Sequence, residues 1–481
     1  MRAPRERLTL ALLLLATFAL RAWKADQPIV ENYVGRQIPT AMAARNLDRG
    51  SGFLRPMLDT GPFPNLFLVE PPVFALLAVG LQRVSGLPLE PSGRLVSALG
   101  MVLGAWGLFG LAQRREGGTV ALIAVAAFTL FPVTIRYGRA FQPDALMLGA
   151  LLAGLHCWDE REHGGPLGWL VAAWSLLALA LALKIVSAYV LIPLILVIVQ
   201  SRRPWKIALA VATLVPSLLW YIHAWSVLAG GAGSRASAEN AAIWWRVLVP
   251  SALFNMGMWI NLARSLTVRA FTPMGGLLAA RGFVATAPDR LWRVWGLSAA
   301  LALLVLAGKL HHEYYWLALA PLAALGMAKG LVDLARRGLW GRSLAVAAAL
   351  GFVVLAAVLS ASTYRTPPEW VALPEAARVI DRLVPADALV IAPEALLYAA
   401  DRRGCRLEAG AAPAQRAASE WSGTINPANP LALIEFYQGH GARFVADVYD
   451  GADDPRRPLH DAIRRRYTVL VDRPGVFLAA L

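Results

Sequence analysis

The chain has 481 residues, of which 57% are hydrophobic and only 16% are charged, and its mean hydropathy is +0.52. These values exclude an ordinary soluble protein and indicate a polytopic α-helical membrane protein. The net charge of +15 could suit a nucleic-acid-binding protein. However, the arginine clusters are short and are separated by apolar runs, so we expect membrane lipids and no nucleic acid as partners.

Apolar runs of membrane-spanning length fill the first three quarters of the chain and predict about 11–13 spans. The first run follows a basic start and lacks a convincing signal-peptidase site before Asp26, so we interpret it as a retained span. The stretch 246–262 is either a further span or an amphipathic helix on the outer side. The predicted spans are 8–23, 92–113, 118–136, 144–160, 167–183, 185–200, 206–228, 270–287, 291–308, 313–335 and 342–363.

The loops between these spans are of two chemical kinds, provided that the short apolar helix 71–86 does not cross the bilayer. One kind carries arginine clusters such as Arg114-Arg115 and Arg336-Arg337, which mark the cytoplasmic side. The other kind mixes acids, bases and aromatic residues. Helix 71–86 reaches only about 24 Å, less than the hydrocarbon thickness of about 30 Å, so we place it at the outer interface.

This topology predicts two extracytoplasmic regions. The first is a long loop, 24–91, with a short helix at 39–47 and the juxtamembrane helix described above. The second is a soluble α/β domain at 364–481, which follows a membrane domain at 1–363. Its predicted strands are 388–392, 443–448, 467–471 and 475–480, and its predicted helices are 373–384, 394–403, 428–440 and 456–466.

Four carboxylates on the outer side are candidate catalytic groups: Asp59, Glu70, Glu31 and Asp144. Glu70 stands at an apolar boundary before Pro71-Pro72, where a raised proton affinity would suit a general base, although capping of the following helix explains it equally well. Asp144 begins a span, where it could serve the helix dipole or orient a neighbouring base.

Basic and phenolic side chains on the same side suit an anion, because phosphate oxygens accept hydrogen bonds from all of them. Lys184 interrupts an apolar run, where an ammonium group is costly unless it faces water or a counter-charge. The adjacent histidines diverge by about 100° on a helix, so we predict no metal site there. The candidate phosphate-binding residues are Arg36, Arg139, Lys184, Lys309, His311, His312, Tyr314 and Tyr315.

The order and sidedness of these segments resemble the GT-C membrane glycosyltransferases, most of all the protein O-mannosyltransferase and aminoarabinose transferase superfamily (glycosyltransferase family 39-like). The resemblance covers about residues 21–335. Its segments are Gly35-Arg36-Gln37, Thr40-Ala41-Met42-Ala43-Ala44-Arg45-Asn46-Leu47, Glu70-Pro71-Pro72, Arg139, Pro143-Asp144-Ala145-Leu146, Leu183-Lys184, Lys309, Tyr314-Tyr315-Trp316 and Pro321.

The resemblance implies an integral protein of the bacterial inner membrane that moves a sugar from a polyprenyl-phosphate donor to an extracytoplasmic lipid, glycan or protein acceptor. It implies a carboxylate base in the first loop and basic residues on the donor phosphate; whether a divalent cation assists is left open. Many relatives carry an Asp-Glu pair where this chain has Gly35-Arg36, so the base cannot be carried over. A polyprenyl-lipid transporter or flippase and a catalytically inactive relative are the alternatives.

Overall fold

The computed structural model describes residues 4–31, 34–199, 203–229, 254–306, 309–310, 312–408, 411–426, 429, 431–448 and 456–481. The chain forms two compact units. The first, called here the helical unit, comprises Met1–Gln27, Glu70–Ala224 and Asn240–Tyr364. The second, called the α/β unit, comprises Pro28–Val69, Trp225–Glu239 and Arg365–Leu481. The segment 28–69 of the predicted first loop is therefore grouped with the C-terminal segment.

The described helices up to residue 229 are α1 (Pro4–Ala22), α2 (Val34–Asp48), α3 (Val73–Ser85), α4 (Leu89–Glu116), α5 (Gly118–Leu130), α6 (Pro132–Gly138), α7 (Asp144–Glu162), α8 (Leu167–Leu183), α9 (Leu191–Val199), α10 (Pro204–Ala212) and α11 (Val215–Ala229). Those from residue 256 to 360 are α12 (Met256–Arg264), α13 (Pro273–Ala285), α14 (Arg290–Val305), α15 (Ala320–Ala335) and α16 (Gly338–Ser360). Short 3-10 helices occupy Ile185–Val190, Glu313–Leu319 and Ala361–Tyr364, and a π-helix occupies Ser265–Ala270.

Among the described residues, four continuous helical segments are long and apolar enough to cross a membrane. They are Leu89–Glu116, Pro204–Ala229, Glu313–Ala335 and Gly338–Leu383, and the bent pair α5–α6 would make a fifth. The polytopic helical fold is thus confirmed, whereas the count of 11–13 spans stays a prediction. Several of the other predicted spans are shorter or broken helices; the span 185–200, for instance, begins as a 3-10 helix.

Helix α3 has 13 residues and measures about 20 Å, so it is even shorter than the sequence predicted. It ends at Gly86, whose φ of 72° places it in the left-handed region that glycine adopts at low cost. The stretch 246–262, left open between a span and an amphipathic helix, is described only from residue 254, where α12 begins at Met256.

Glycines let the helices of the helical unit pack closely, as is typical of membrane helices. A Cβ atom on Gly149 of α7 would lie 1.9 Å from the carbonyl oxygen of Gly100 on α4. The same distance separates a Cβ on Gly282 of α13 from the carbonyl oxygen of Gly326 on α15. Side chains larger than hydrogen at these positions would force the two helix pairs apart.

The break between α5 and α6 frees backbone carbonyls inside the helical unit, because Pro132 has no N–H and the two helices diverge by 61°. Thr134 donates its hydroxyl hydrogen to the Phe128 carbonyl at 2.5 Å. The guanidinium of Arg21, fully buried on α1, donates to the carbonyls of Thr17 (2.9 Å), Thr129 (3.1 Å) and Thr134 (3.1 Å). The break is therefore satisfied by side chains, as backbone groups in an apolar environment must be.

The α/β unit contains one five-stranded sheet in the order β2-β1-β3-β5-β4, with β1 parallel to β2 and β3, and β5 antiparallel to β3 and β4. The strands are β1 (Leu389–Ala392), β2 (Gly404–Arg406), β3 (Ala442–Asp447), β4 (Thr468–Arg473) and β5 (Val476–Ala480). The helices of this unit's C-terminal segment are α17 (Leu373–Leu383), α18 (Glu394–Ala399), α19 (Ala411–Glu420), α20 (Ala432–Gly439) and α21 (Arg457–Arg466). Its core packs around Ile391, Ile434, Val445 and Phe477.

The four predicted strands and four predicted helices of this segment all occur near the predicted positions, whereas β2 and α19 were not predicted. Three residues of β2 are too few for a periodic pattern. Strand β2 lies at the sheet edge and also bonds segment 59–61: Gly404 donates its N–H to the Asp59 carbonyl at 2.9 Å, and Gly61 donates to the Gly404 carbonyl at 2.8 Å. The first loop thus extends the edge of the sheet.

Replacing Arg21 by leucine should destabilise the protein, because three carbonyls would each lose a hydrogen bond from a charged donor, worth about 1.5–3 kcal/mol. The thermal unfolding midpoint of protein purified in detergent measures this loss. Arg7→Leu is the control, since Arg7 is exposed on the same helix. Equal midpoints for the two variants would contradict this role of Arg21.

Candidate active site

Lys184 and Asp144 form a buried ion pair inside the helical unit. Lys184 ends α8 in an extended conformation, at φ −165° and ψ 108°, so the chain breaks there before the 3-10 helix that follows. Asp144 is the first residue of α7, where its carboxylate also favours the helix dipole. The break and the helix start place opposite charges together in an apolar environment.

Two aromatic rings face the same ammonium group. The Lys184 Nζ atom lies 4.1 Å from the ring centroid of Tyr314 and 4.9 Å from that of Tyr315, within the range of cation–π attraction. The His312 ring stacks on Tyr314 with centroids 5.5 Å apart and an interplanar angle of 11°. We call Asp144, Lys184, His312, Tyr314 and Tyr315 the Lys184 cluster.

A chain of opposite charges adjoins this cluster, and it was not assigned a role from the sequence. Glu313 pairs with Arg136 of α6 and, at 3.0 Å, with the exposed Arg269 of the π-helix. Tyr137 of α6 packs edge-on against Tyr314, with centroids 5.9 Å apart. Both arginines and Glu313 were visible as charges near apolar runs, but only the packing of the short helices decides which ones meet.

Arg139, predicted to bind phosphate, contacts backbone carbonyls. Its buried guanidinium donates to the backbone carbonyls of Trp23 (2.9 Å), Lys24 (2.6 Å) and Thr363 (2.8 Å). A fourth, longer contact of 3.4 Å reaches the side-chain oxygen of Gln27. Its four Nη hydrogens therefore have acceptors within the protein.

The remaining candidates of the helical unit are Lys309, His311 and Glu70. Lys309 is buried, and its backbone N–H donates to the Leu306 carbonyl at 2.7 Å. His311 lies outside the described residues. Glu70 is half-buried three residues before α3, and its helix is fixed near Asp144 because Phe74 packs against Phe141, with centroids 5.5 Å apart.

Asp59, in the α/β unit, is a buried carboxylate held by α2. It accepts from Arg45 at 2.6 Å and from the Asn46 amide at 3.0 Å, one contact to each oxygen. Arg45 in turn contacts Tyr398, 4.5 Å from its ring centroid, and Asp401 at 3.1 Å. Asp59 is therefore part of a network that ties α2 to the C-terminal segment.

Asp401 belongs to the same network. Partial burial alone would raise the pKa of its carboxyl group, but the hydrogen bond from Arg49 and the charges of Arg45 and Arg49 outweigh burial and lower that pKa. The carboxylate consequently stays ionised at neutral pH and keeps both ion pairs.

Glu31 and Arg36 complete the predicted set in the α/β unit. Glu31 is 3% exposed, and one carboxylate oxygen accepts from the Val30 N–H at 3.2 Å. The Arg36 guanidinium lies over the Phe67 ring at 5.2 Å. Within the described ranges, no three His, Cys, Asp or Glu side chains gather closely enough to hold a metal ion.

Solved structures share this architecture over nearly the whole chain. ArnT from Cupriavidus metallidurans, solved with undecaprenyl phosphate bound, matches with a TM-score of 0.62 and 16% identity over 98% of this chain and 97% of that chain. The archaeal oligosaccharyltransferase AglB from Archaeoglobus fulgidus, solved with an inhibitory peptide and a dolichol-phosphate, matches with a TM-score of 0.56 and 12% identity over 97% of this chain and 72% of that chain. The chain has the GT-C membrane glycosyltransferase fold.

Sequence comparisons agree with the GT-C fold over shorter ranges. Residues 69–225 match the family described as dolichyl-phosphate-mannose-protein mannosyltransferase. A putative mannosyltransferase, YycA of Bacillus subtilis, is 28% identical over 86 residues, which span 18% of this chain and 13% of that relative. The resemblance inferred from the sequence is thus confirmed.

Asp59→Asn should lower thermal stability, because it breaks a buried pair with Arg45. A double-mutant cycle with Arg45→Met measures whether the two residues act together. We expect the double variant to be about as stable as the less stable single variant. Additive losses in unfolding midpoint would contradict a network in which Asp59 acts through Arg45.

Proposed function

We propose that this protein is a membrane glycosyltransferase that transfers a sugar from a polyprenyl-phosphate donor to an extracytoplasmic acceptor. The GT-C fold supports the reaction class, and the undecaprenyl phosphate and dolichol-phosphate in the two similar structures support the donor class. We place the protein in the bacterial inner membrane, with its site and its α/β unit on the extracytoplasmic face, on the positive-inside distribution of its arginines.

The Lys184 cluster is the observation that carries the proposal. A buried ammonium group among apolar helices is costly and is kept where it serves a function. Lys184, held by Asp144 and flanked by two tyrosines, offers a cation and phenolic donors to a phosphate group. Arg136 and Arg269, joined through Glu313, add positive charge beside Tyr314.

The chemistry requires one displacement at the anomeric carbon. A carboxylate takes the proton of the acceptor group while the acceptor's oxygen or nitrogen forms the new bond to that carbon. The bond to the donor's phosphate oxygen breaks, and the polyprenyl phosphate leaves with the electron pair. Fixed positive charge stabilises the negative charge that develops on this leaving group, which is the role we give to Lys184 and its neighbours.

Glu70 is the carboxylate that we propose first as the base. It is half-buried rather than enclosed, and the Phe74–Phe141 contact keeps its segment near the start of α7. Asp59 accepts a hydrogen bond on each oxygen, Asp144 is paired with Lys184, and Glu31 is almost fully buried. These three remain the other candidates. This chain has Gly35-Arg36 where many relatives have an Asp-Glu pair, so a catalytically inactive relative is the second candidate function.

Lys184→Met should weaken the binding of undecaprenyl phosphate by about 10- to 100-fold, the usual effect of losing a hydrogen bond between charged groups. The dissociation constant, measured by microscale thermophoresis on purified protein, tests this. Lys329→Met is the matched control, since Lys329 is an equally buried lysine that pairs with Glu116 at 2.8 Å. Unchanged affinity in Lys184→Met, or equal weakening in both variants, would refute the assignment.

Glu70→Gln should lower sugar transfer by about 100- to 10,000-fold, as expected for loss of a general base, while undecaprenyl phosphate still binds. The measurement is transfer from a radiolabelled polyprenyl-phosphate mannose to endogenous acceptors in membranes. The variants Glu31→Gln, Asp59→Asn and Asp144→Asn are assayed in the same way. If all four variants transfer normally, the mechanism is wrong. If the unmodified protein binds the lipid phosphate but transfers nothing from a panel of such donors, the inactive relative is favoured.

A further inference from the structure

Arg139 has a set of contacts that differs from that of a ligand-binding arginine. Its side chain is 0% exposed, and its Nη atoms donate to three backbone carbonyls and to Gln27. Its guanidinium also lies over the ring of Tyr364, 5.0 Å from the centroid. A guanidinium used in this way has few hydrogens left for a phosphate group.

The three carbonyls belong to the ends of two helices. Trp23 and Lys24 follow directly on α1, and Thr363 lies in the 3-10 helix Ala361–Tyr364 that continues α16. Carbonyls at a helix end lack partners within the helix and carry the negative end of its dipole. Arg139 therefore caps the ends of both helices at once. Lys24, with φ at 52°, reinforces the junction by donating to the Tyr364 carbonyl at 3.1 Å.

Arg139 also directly follows α6, whose side chains reach the Lys184 cluster. Tyr137 packs against Tyr314, and Arg136 pairs with Glu313. Helix α6 has only seven residues, about 10 Å, so an anchor at one end fixes the whole element. Its other anchor is Arg21, which donates to the Thr134 carbonyl at 3.1 Å.

Gly138, the last residue of α6, lets this helix pack closely against α1 and α4. A Cβ atom there would lie 2.5 Å from Nε of Arg21 and 2.8 Å from Cγ of Met101. The last turn of α6 is thus pressed against α1 and α4, immediately before the capping arginine. Small displacements of this turn would move Tyr137 and Arg136 together.

We propose that Arg139 is a positioning residue for the donor site: it anchors α6 to the ends of α1 and α16, so that Tyr137 and Arg136 hold Tyr314 and Glu313 in place. This inference rests on the proposed function, because the site it positions is the one proposed for the lipid phosphate. In this proposal Arg139 does not contact the phosphate directly. It affects phosphate binding through the position of α6.

A double-mutant cycle on undecaprenyl phosphate binding tests the proposal. Arg139→Gln and Tyr137→Leu should each weaken binding by about 3- to 10-fold, the range of coupling through packed side chains, and the double variant should bind about as well as the weaker single variant. Arg139→Lys, which keeps a cation that can donate to the same carbonyls, should recover part of the affinity and provides a second variant if Arg139→Gln does not fold.

The control is Arg115→Gln, which removes a half-buried arginine paired with Asp159. Asp159 lies 15 residues along α7 from Asp144, about 22 Å away, so affinity should not change. Fold-changes that multiply in the double variant would show that Arg139 and Tyr137 act independently and would overturn the proposal. A lower unfolding midpoint with unchanged affinity would reduce Arg139 to a structural role and also overturn it. Failure of the unmodified protein to bind the lipid would refute the proposed function instead.

Discussion

The helical unit depends on how it satisfies backbone carbonyls where its helices break and end. An apolar surrounding offers no water to these groups, so each break needs a side-chain donor. Arg21 supplies it at the Pro132 break, and Arg139 supplies it where α1 and the extension of α16 end. Arg21 contacts α6 at Thr134, and Arg139 directly follows α6. The two guanidinium groups therefore set the position of this short helix. They thereby also set the positions of its residues Tyr137 and Arg136.

Four buried cations of this unit differ in the acceptors that they bind. Arg21 and Arg139 bind backbone carbonyls, which are neutral acceptors that fix the fold. Lys184 and Arg136 instead pair with carboxylates, those of Asp144 and Glu313. An ion pair with a carboxylate can exchange one partner for an anionic ligand, whereas carbonyls at a helix end must keep their donor. This difference separates residues that build the site from residues that could bind in it.

The α/β unit was largely predictable from the sequence, since its strands and helices alternate with clear periodicity. Its edge was not. Strand β2 pairs with β1 and, through Gly404, with segment 59–61, and no local pattern encodes such pairings. Asp59 was chosen as a candidate base because it is an acid in an outer loop, but its contacts with Arg45 and Asn46 depend on the fold of α2.

By itself, the sequence determined the membrane class, the C-terminal α/β pattern and the choice of Lys184, Asp144 and the tyrosine pair, because composition and charge in an apolar run are local properties. Only the tertiary structure decided which charges meet. Asp144 and Lys184 are 40 residues apart, and Arg136 and Glu313 are 177 apart. It also decided that Arg139 binds carbonyls, because an arginine's partners are set by which helix ends pack beside it, and that is a property of the whole bundle.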